Sequence, residues 1–333
     1  MSEVEGATDG AHAKNVAAWG WLLLMVLIGS TTATAAKFAV GGLPVGLLPV
    51  LRYGTAGLCL LPWVWNRQTF SRLFQRDFGR VFLASACCVP INQTFFLHGT
   101  KLAPTTHVGV IYAACPLVVL ALACLLRQEK LRWNRAAGIV LSVAGLAIVG
   151  IGNLWRSRSA GAVDPIQGDL LLIGAVVSWG AYLTFNKPLV DRHGPLPVLA
   201  VTFALGALLD LPIALASTDA RFAFMHPSTF LAWKGLAWLA FVATLCGLAA
   251  QNQALRLFDA SQVAAVGNIS PLLTIVWGGL LLGEELSPPL VVGGFATLVG
   301  VAWTGRAKTN FAENEPLPNG PPALASASTA DAA

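Results

Sequence analysis

Charge is what this chain has least of. Asp, Glu, Lys and Arg make up 11% of its 333 residues, where soluble domains carry about 25%. Hydrophobic residues make up 56% and the mean hydropathy is +0.67. Such a chain has too little polar surface to cover its apolar side chains in water, which excludes a soluble globular domain. Acids are scarcest inside the apolar runs, where Asp210 is the single one. There is no Walker-type glycine loop, which excludes ATP as the energy source. No His/Asp/Glu constellation or Cys/His pair supplies a nucleophile or an acid–base set, so a membrane-embedded enzyme is not expected. The six cysteines (Cys59, Cys87, Cys88, Cys115, Cys124 and Cys246) lie in apolar runs without metal-ligand spacing. They read as small buried hydrophobes, and neither metal, cofactor nor disulfide framework is implied.

What is present is a series of nearly uncharged runs of membrane-spanning length, ~20 residues at 1.5 Å rise each. They predict helices near 16–36, 43–65, 79–98, 103–126, 136–153, 169–187, 196–216, 231–253, 261–282 and 288–305. The expected fold is an all-α integral membrane protein of ten transmembrane helices, five in each half. Residues 1–15 and 306–333 read as polar, disordered tails and 154–168 as the linker between halves. Ala33-Thr34-Ala35 has the form of a signal-peptide cleavage site, but the leader is acidic (Glu3, Glu5, Asp9) where such peptides are basic. The net charge of +5 does not point to nucleic acid, because the basic residues sit between apolar runs. With the N-terminus inside, inner segments hold 14 Lys and Arg and outer loops 6, with Arg52 inside a run. That bias places both termini in the cytoplasm.

The halves repeat. Residues 115–145, CPLVVLALACLLRQEKLRWNRAAGIVLSVAG, return as 270–300, SPLLTIVWGGLLLGEELSPPLVVGGFATLVG. A shift of 155 pairs Pro116 with Pro271, Leu117 with Leu272, Glu129 with Glu284, Leu131 with Leu286, Gly138 with Gly293 and Gly145 with Gly300. An internal duplication follows. Five helices per copy is an odd number, so the second copy (169–305) enters the membrane inverted relative to the first (16–153). Inverted repeats are the architecture of alternating-access carriers.

These residues resemble the drug/metabolite transporter superfamily, specifically bacterial carriers built from two EamA-type domains. The likeness rests on LRYGTAGLCLLP (51–62), Asn92, the two Pro…Glu…Gly…Gly segments and AQNQALRLFDAS (250–261). It covers about residues 16–305. The resemblance implies a secondary transporter in the bacterial inner membrane, exporting amino acids, other small metabolites or drugs through a cavity between the repeats. A multidrug or cation exporter of the same fold, or a non-transporting scaffold, stands as the alternative. Proton antiport and facilitated or exchange transport stay equally open, as does the oligomeric state. The partners expected are a small-molecule substrate and the lipid bilayer, with no nucleic acid.

Polar side chains inside lipid are costly and usually face a cavity or a partner. Arg52 is the sharpest case, about 14 Å into its run by helix rise. It reads either as a cation for a substrate carboxylate or as a structural ion pair, and with few membrane acids it leans the chain toward carboxylate-bearing substrates. Asp210 reads as an interfacial, solvated acid, with proton coupling as the alternative. Further cavity candidates are Thr31 and Thr34 in the first helix, Asn92 and Gln93 in the third, Tyr112 in the fourth, and Trp179 and Tyr182 in the sixth. The ninth adds Asn268, Ser270, Thr274 and Trp277, of which 270, 274 and 277 share a half-polar stripe with Gly267. Helix packing through small hydroxyls explains several of these equally well. Pro116 and Pro271, matched across the repeats, break helices at corresponding places and mark a candidate site and gate. Lys37 and Lys187 read as interfacial anchors, and Glu129 and Glu284 as structural loop residues.

Overall fold

The computed structural model describes residues 17–64, 73–103, 105–112, 115–128, 136–145, 147–148, 151, 166–217, 229–267, 269–282 and 288–306. Among these no strand occurs. The helices are α1 (Ala17–Val40), α2 (Leu48–Val64), α3 (Phe78–Leu102), α4 (Thr105–Tyr112), α5 (Cys115–Leu125) and α6 (Ala136–Gly145). They continue as α7 (Ile166–His193), α8 (Pro195–Ala216), α9 (Phe230–Leu257), α10 (Ala260–Gly267), α11 (Ile269–Leu282) and α12 (Pro288–Arg306). Among the described residues six spans are long and apolar enough to cross a membrane: α1, α3, α7, α8, α9 and the stretch Gln262–Leu281. The outer surface carries Leu58, Leu215, Phe230, Leu280 and Phe295, each about 70% exposed. Those side chains have lipid as their solvent, and the chain is a multi-pass membrane protein.

Several helices run a turn beyond the apolar runs that predict them. The last turns of α1, α3 and α9 hold Lys37, Lys101 and Arg256. Basic residues suit helix C-termini, and their long stems lie along apolar surface. The second helix differs the other way. It starts at Leu48, because residues 41–47 (GGLPVGL) form turns. Arg52 is therefore the fifth residue of α2 and not near its middle.

Two helices contain π-helical stretches, Cys87–Ile91 in α3 and Trp238–Gly247 in α9. Pro90 in the first removes a backbone donor and displaces the bonding register. Gly194, with φ of 81°, turns α7 into α8, whose first residue is Pro195.

Packing between the halves pairs α2 with α8, α3 with α7 and the C-terminal part of α1 with the start of α9. The fourth and ninth segments meet end for end: α5 packs on α10 and α4 on α11. Glycines allow the closest approaches. A Cβ at Gly235 of α9 would lie 2.8 Å from the Ala35 carbonyl oxygen of α1. Tyr53 and Phe203, both buried, cross edge to face at 5.2 Å in the α2–α8 seam.

Candidate functional site

Where α1, α2, α3, α4, α7, α9, α10 and α11 converge, a cavity of about 190 Å³ opens among the helices. Arg52 is its single charged lining residue among those described. Its guanidinium reaches the π-helical part of α9, where Nε donates to Thr244 Oγ1 at 2.6 Å. Nη1 donates to Gln93 Oε1 at 3.1 Å, and the guanidinium carbon lies 5.0 Å from the Tyr53 ring centre. The chain of bonds continues. Gln93 Nε2 donates to Asn92 Oδ1 at 2.7 Å. Asn92 Nδ2 donates to the Ala175 carbonyl at 2.7 Å and to Tyr112 Oη at 3.2 Å. One network thus joins α2, α3, α4, α7 and α9, and both halves of the chain. Among the described residues no carboxylate pairs with Arg52; its partners are neutral acceptors.

The apolar walls include Met25, Phe96, Tyr112 and Trp179. Phe96 meets Tyr112 edge to face at 5.7 Å, and Trp179 lies 5.0 Å from Tyr182. The cavity has the composition of a small-molecule site, mostly apolar with a few placed polar groups.

Of the sequence candidates, Arg52, Asn92, Gln93, Tyr112, Trp179, Ser270, Thr274 and Pro271 line this cavity. Pro116 is buried one residue beyond the lining Cys115. Asn268, Glu129 and Glu284 lie outside the described residues. Four candidates are placed elsewhere. Thr31 Oγ1 accepts from Trp238 Nε1 at 2.8 Å and donates to the Ile28 carbonyl, while its neighbour Thr32 faces the cavity. Thr34 is buried among the alanines of α1, its hydroxyl without a partner. Tyr182 stands behind Trp179, fully buried, and accepts from Asn186 Nδ2 at 3.4 Å. Trp277 donates to Ser30 Oγ at 3.0 Å.

That last bond belongs to a clasp. Ser270 Oγ donates to the Val26 carbonyl at 3.1 Å and Thr274 Oγ1 to the Ser30 carbonyl at 2.8 Å. The half-polar stripe of the ninth helix therefore fastens α11 to α1 as well as lining the cavity. Asp210 is a second correction. It is 0% exposed, and neither carboxylate oxygen has a hydrogen-bond partner. Helical position gives depth; the direction of the side chain is set by packing.

The sequence reading passed over Thr244, Tyr53 and a cluster at one end of α3. There Arg192 Nη1 lies 2.7 Å from Asp77 Oδ1, and His193 Nε2 lies 2.9 Å from Asp77 Oδ2. Arg80 stands at 3.9 Å. Burial alone would raise the Asp77 carboxyl, but the His193 hydrogen bond and the charges of Arg192, His193 and Arg80 outweigh it and hold the group below the usual carboxylate range. Lys37 Nζ caps the far end of α3, donating to the Thr100 and Ala103 carbonyls at 2.9 Å each. Lys187 pairs with Asp191 at 2.8 Å.

The helical membrane fold, with a polar-studded cavity between its halves, defines a membrane transporter. The chain belongs to the EamA-like transporter family, which it matches twice, over residues 17–151 and 166–306. It is 24% identical over 289 residues to an uncharacterized transporter, YetK, of Bacillus subtilis (strain 168), across 84% of this chain and 81% of that one. A probable amino-acid metabolite efflux pump of Salmonella typhimurium is 26% identical over 204 residues, 60% of this chain and 66% of its own. A probable terminal-alkyne amino-acid exporter of Streptantibioticus cattleyicolor is 24% identical over 232 residues, 69% of this chain and 74% of its own. One crystal structure shares the fold at a TM-score of 0.64 and 18% identity, covering 86% of this chain and 96% of that one.

Proposed function

We propose that this protein is an alternating-access secondary carrier exporting small carboxylate-bearing metabolites, amino acids or related acids, across a bacterial inner membrane. Its architecture in this reading is two inverted five-helix repeats, ten spans in all, with both termini in the cytoplasm. The reciprocity of the packing supports the repeats. Exchanging first with sixth, third with eighth, second with seventh and fourth with ninth helices returns the same set of pairings between halves. The bias of Lys and Arg toward one side supports the orientation.

Arg52 carries the substrate reading. A guanidinium stays protonated in proteins, and this one is 5% exposed with two neutral acceptors for partners. A buried cation without a counter-ion is costly, and a bound carboxylate offsets that cost through charge-assisted, bidentate bonding. The cavity, at about 190 Å³, is also below the ~300–1,000 Å³ of drug-sized sites, which favours small metabolites over bulky drugs. The printed names of two relatives point to amino-acid export. The pinned cavity residues Asn92, Gln93 and Tyr112 shape the site, and Pro116 and Pro271 let the fourth and ninth helices bend between states.

The test is uptake by proteoliposomes holding the purified protein, offered a panel of labelled amino acids with and without a proton gradient. Saturable uptake of one class is expected, lost in Arg52→Ala while the variant stays folded. Full activity in Arg52→Ala would make the arginine structural, and no flux of any amino acid, or of the matching acids without the amino group, would sink the substrate reading.

A further inference from the structure

We infer that the cavity selects carboxylates that carry no ammonium group, monoanions with an apolar or aromatic body, over zwitterionic amino acids. This rests on the carboxylate-carrier reading and narrows it. The argument is one of charge balance. Among the described lining residues Arg52 is the only charged one, so the empty cavity carries one positive charge. A monoanion makes it neutral, whereas a zwitterion leaves it at plus one and an amine raises it to plus two. Among the described residues no acid lines the cavity to change the count. Of the chain's acids Asp210 alone falls in the interior of an apolar run, and it is sealed in α8 with no place in the lining.

The acceptors around Arg52 are neutral, and each already takes one proton. Thr244 Oγ1 and Gln93 Oε1 take its protons, and Asn92 Oδ1 takes the Gln93 amide. Ser270 and Thr274 donate to α1 carbonyls and offer only uncharged hydroxyl oxygens to a ligand. An ammonium would find only neutral partners, the hydroxyls of Thr32, Ser270 and Thr274, the amides of Gln93 and Gln251 and the faces of Trp179 and Tyr112. Neutral acceptors and cation–π contact offset less of an ammonium's desolvation than an anion would. The only anion beside it is its own carboxylate, which Arg52 engages, and Arg52 repels the ammonium. The body of a monoanion meets no such penalty, because Met25, Phe96, Tyr112 and Trp179 supply apolar and aromatic walls.

The experiment compares acids that differ only in the amino group. Binding is measured by scintillation proximity on the purified full chain in detergent, since simple acids leak through bilayers in their neutral form. The matched pairs are phenylalanine with 3-phenylpropanoate, leucine with 4-methylpentanoate, and alanine with propanoate; 2-phenylethylamine is the amine control. For at least one pair the desamino acid is expected to bind tenfold or more tightly than its amino acid, and Arg52→Gln is expected to weaken both tenfold or more. Equal or tighter binding of the amino acid in every pair that binds, with the loss in Arg52→Gln intact, overturns the inference and leaves the carboxylate reading standing. Preference for 2-phenylethylamine, or no binding of any acid, overturns both.

Discussion

Arg52 owes its place to side chains that are distant in sequence. Thr244 is 192 positions away and accepts from Nε at 2.6 Å, while Gln93 holds Nη1. A hydrogen bond to a charged group is worth ~1.5–3 kcal/mol. Thr244→Val keeps the side-chain shape and removes the acceptor, so a rise in half-saturation of roughly tenfold is expected in uptake kinetics, with maximal rate little changed. Thr202→Val is the control. Its hydroxyl is fully buried and has no partner, so the variant should transport normally and unfold no earlier. Identical behaviour of the two variants would remove Thr244 from the site. Arg52, Asn92 and Gln93 were legible in the sequence because charged and amide groups stand out within apolar runs. Thr244 was not. Helical threonines usually bond to their own backbone, as Thr55, Thr100 and Thr184 do here, and nothing local separates Thr244 from them.

The helices were legible as apolar runs, but their ends were not, since the charge-free stretch stops where Lys37, Lys101 and Arg256 begin and the helix does not. Which faces meet was partly written in the glycines. Gly235 is one of them, with a hypothetical Cβ 2.8 Å from the Ala35 carbonyl oxygen and 3.0 Å from the Ala39 nitrogen. Both neighbours are backbone, so they yield only if α1 and α9 move apart. Gly235→Ala is therefore expected to lower the melting temperature of the purified protein by several degrees. Gly20 lies in α1 with nothing within 4 Å of its Cβ position. Gly20→Ala should leave stability equal or higher, since alanine favours the helix by ~0.5–1 kcal/mol over glycine. A stabilised Gly235→Ala would mean that the α1–α9 approach is looser than described. The stripe of Ser270, Thr274 and Trp277 shows what periodicity leaves out. It identifies a shared face but not whether that face meets a cavity or another helix, and here it meets both.

For the whole molecule, one charged cluster spans the two halves. At the start of α3 and the end of α7, the Asp77, Arg192 and His193 cluster fastens one half to the other. At the other end of α3, Lys37 caps the helix by donating to the Thr100 and Ala103 carbonyls. The cluster was not legible in the sequence, because Asp77 and Arg192 lie 115 positions apart in segments that read as ordinary polar loops. Its energetics have a definite sign. A carboxylate held below its ordinary range contributes stability that is complete above that range, near pH 4, and is lost as the pH falls through the lowered folded-state value. Arg192 is half exposed, so the pair is worth about 1 kcal/mol, or roughly 2 °C in a protein of this size. Asp77→Asn should therefore melt a few degrees below the unmodified protein at pH 7, and the two curves should draw together as the pH falls below the ordinary carboxylate range. Thermal unfolding of the detergent-solubilised protein across that range reads the difference directly. A gap that widens on acidification would mean that Asp77 is not ionised in the folded state and that the two halves are held together there by something other than its charge.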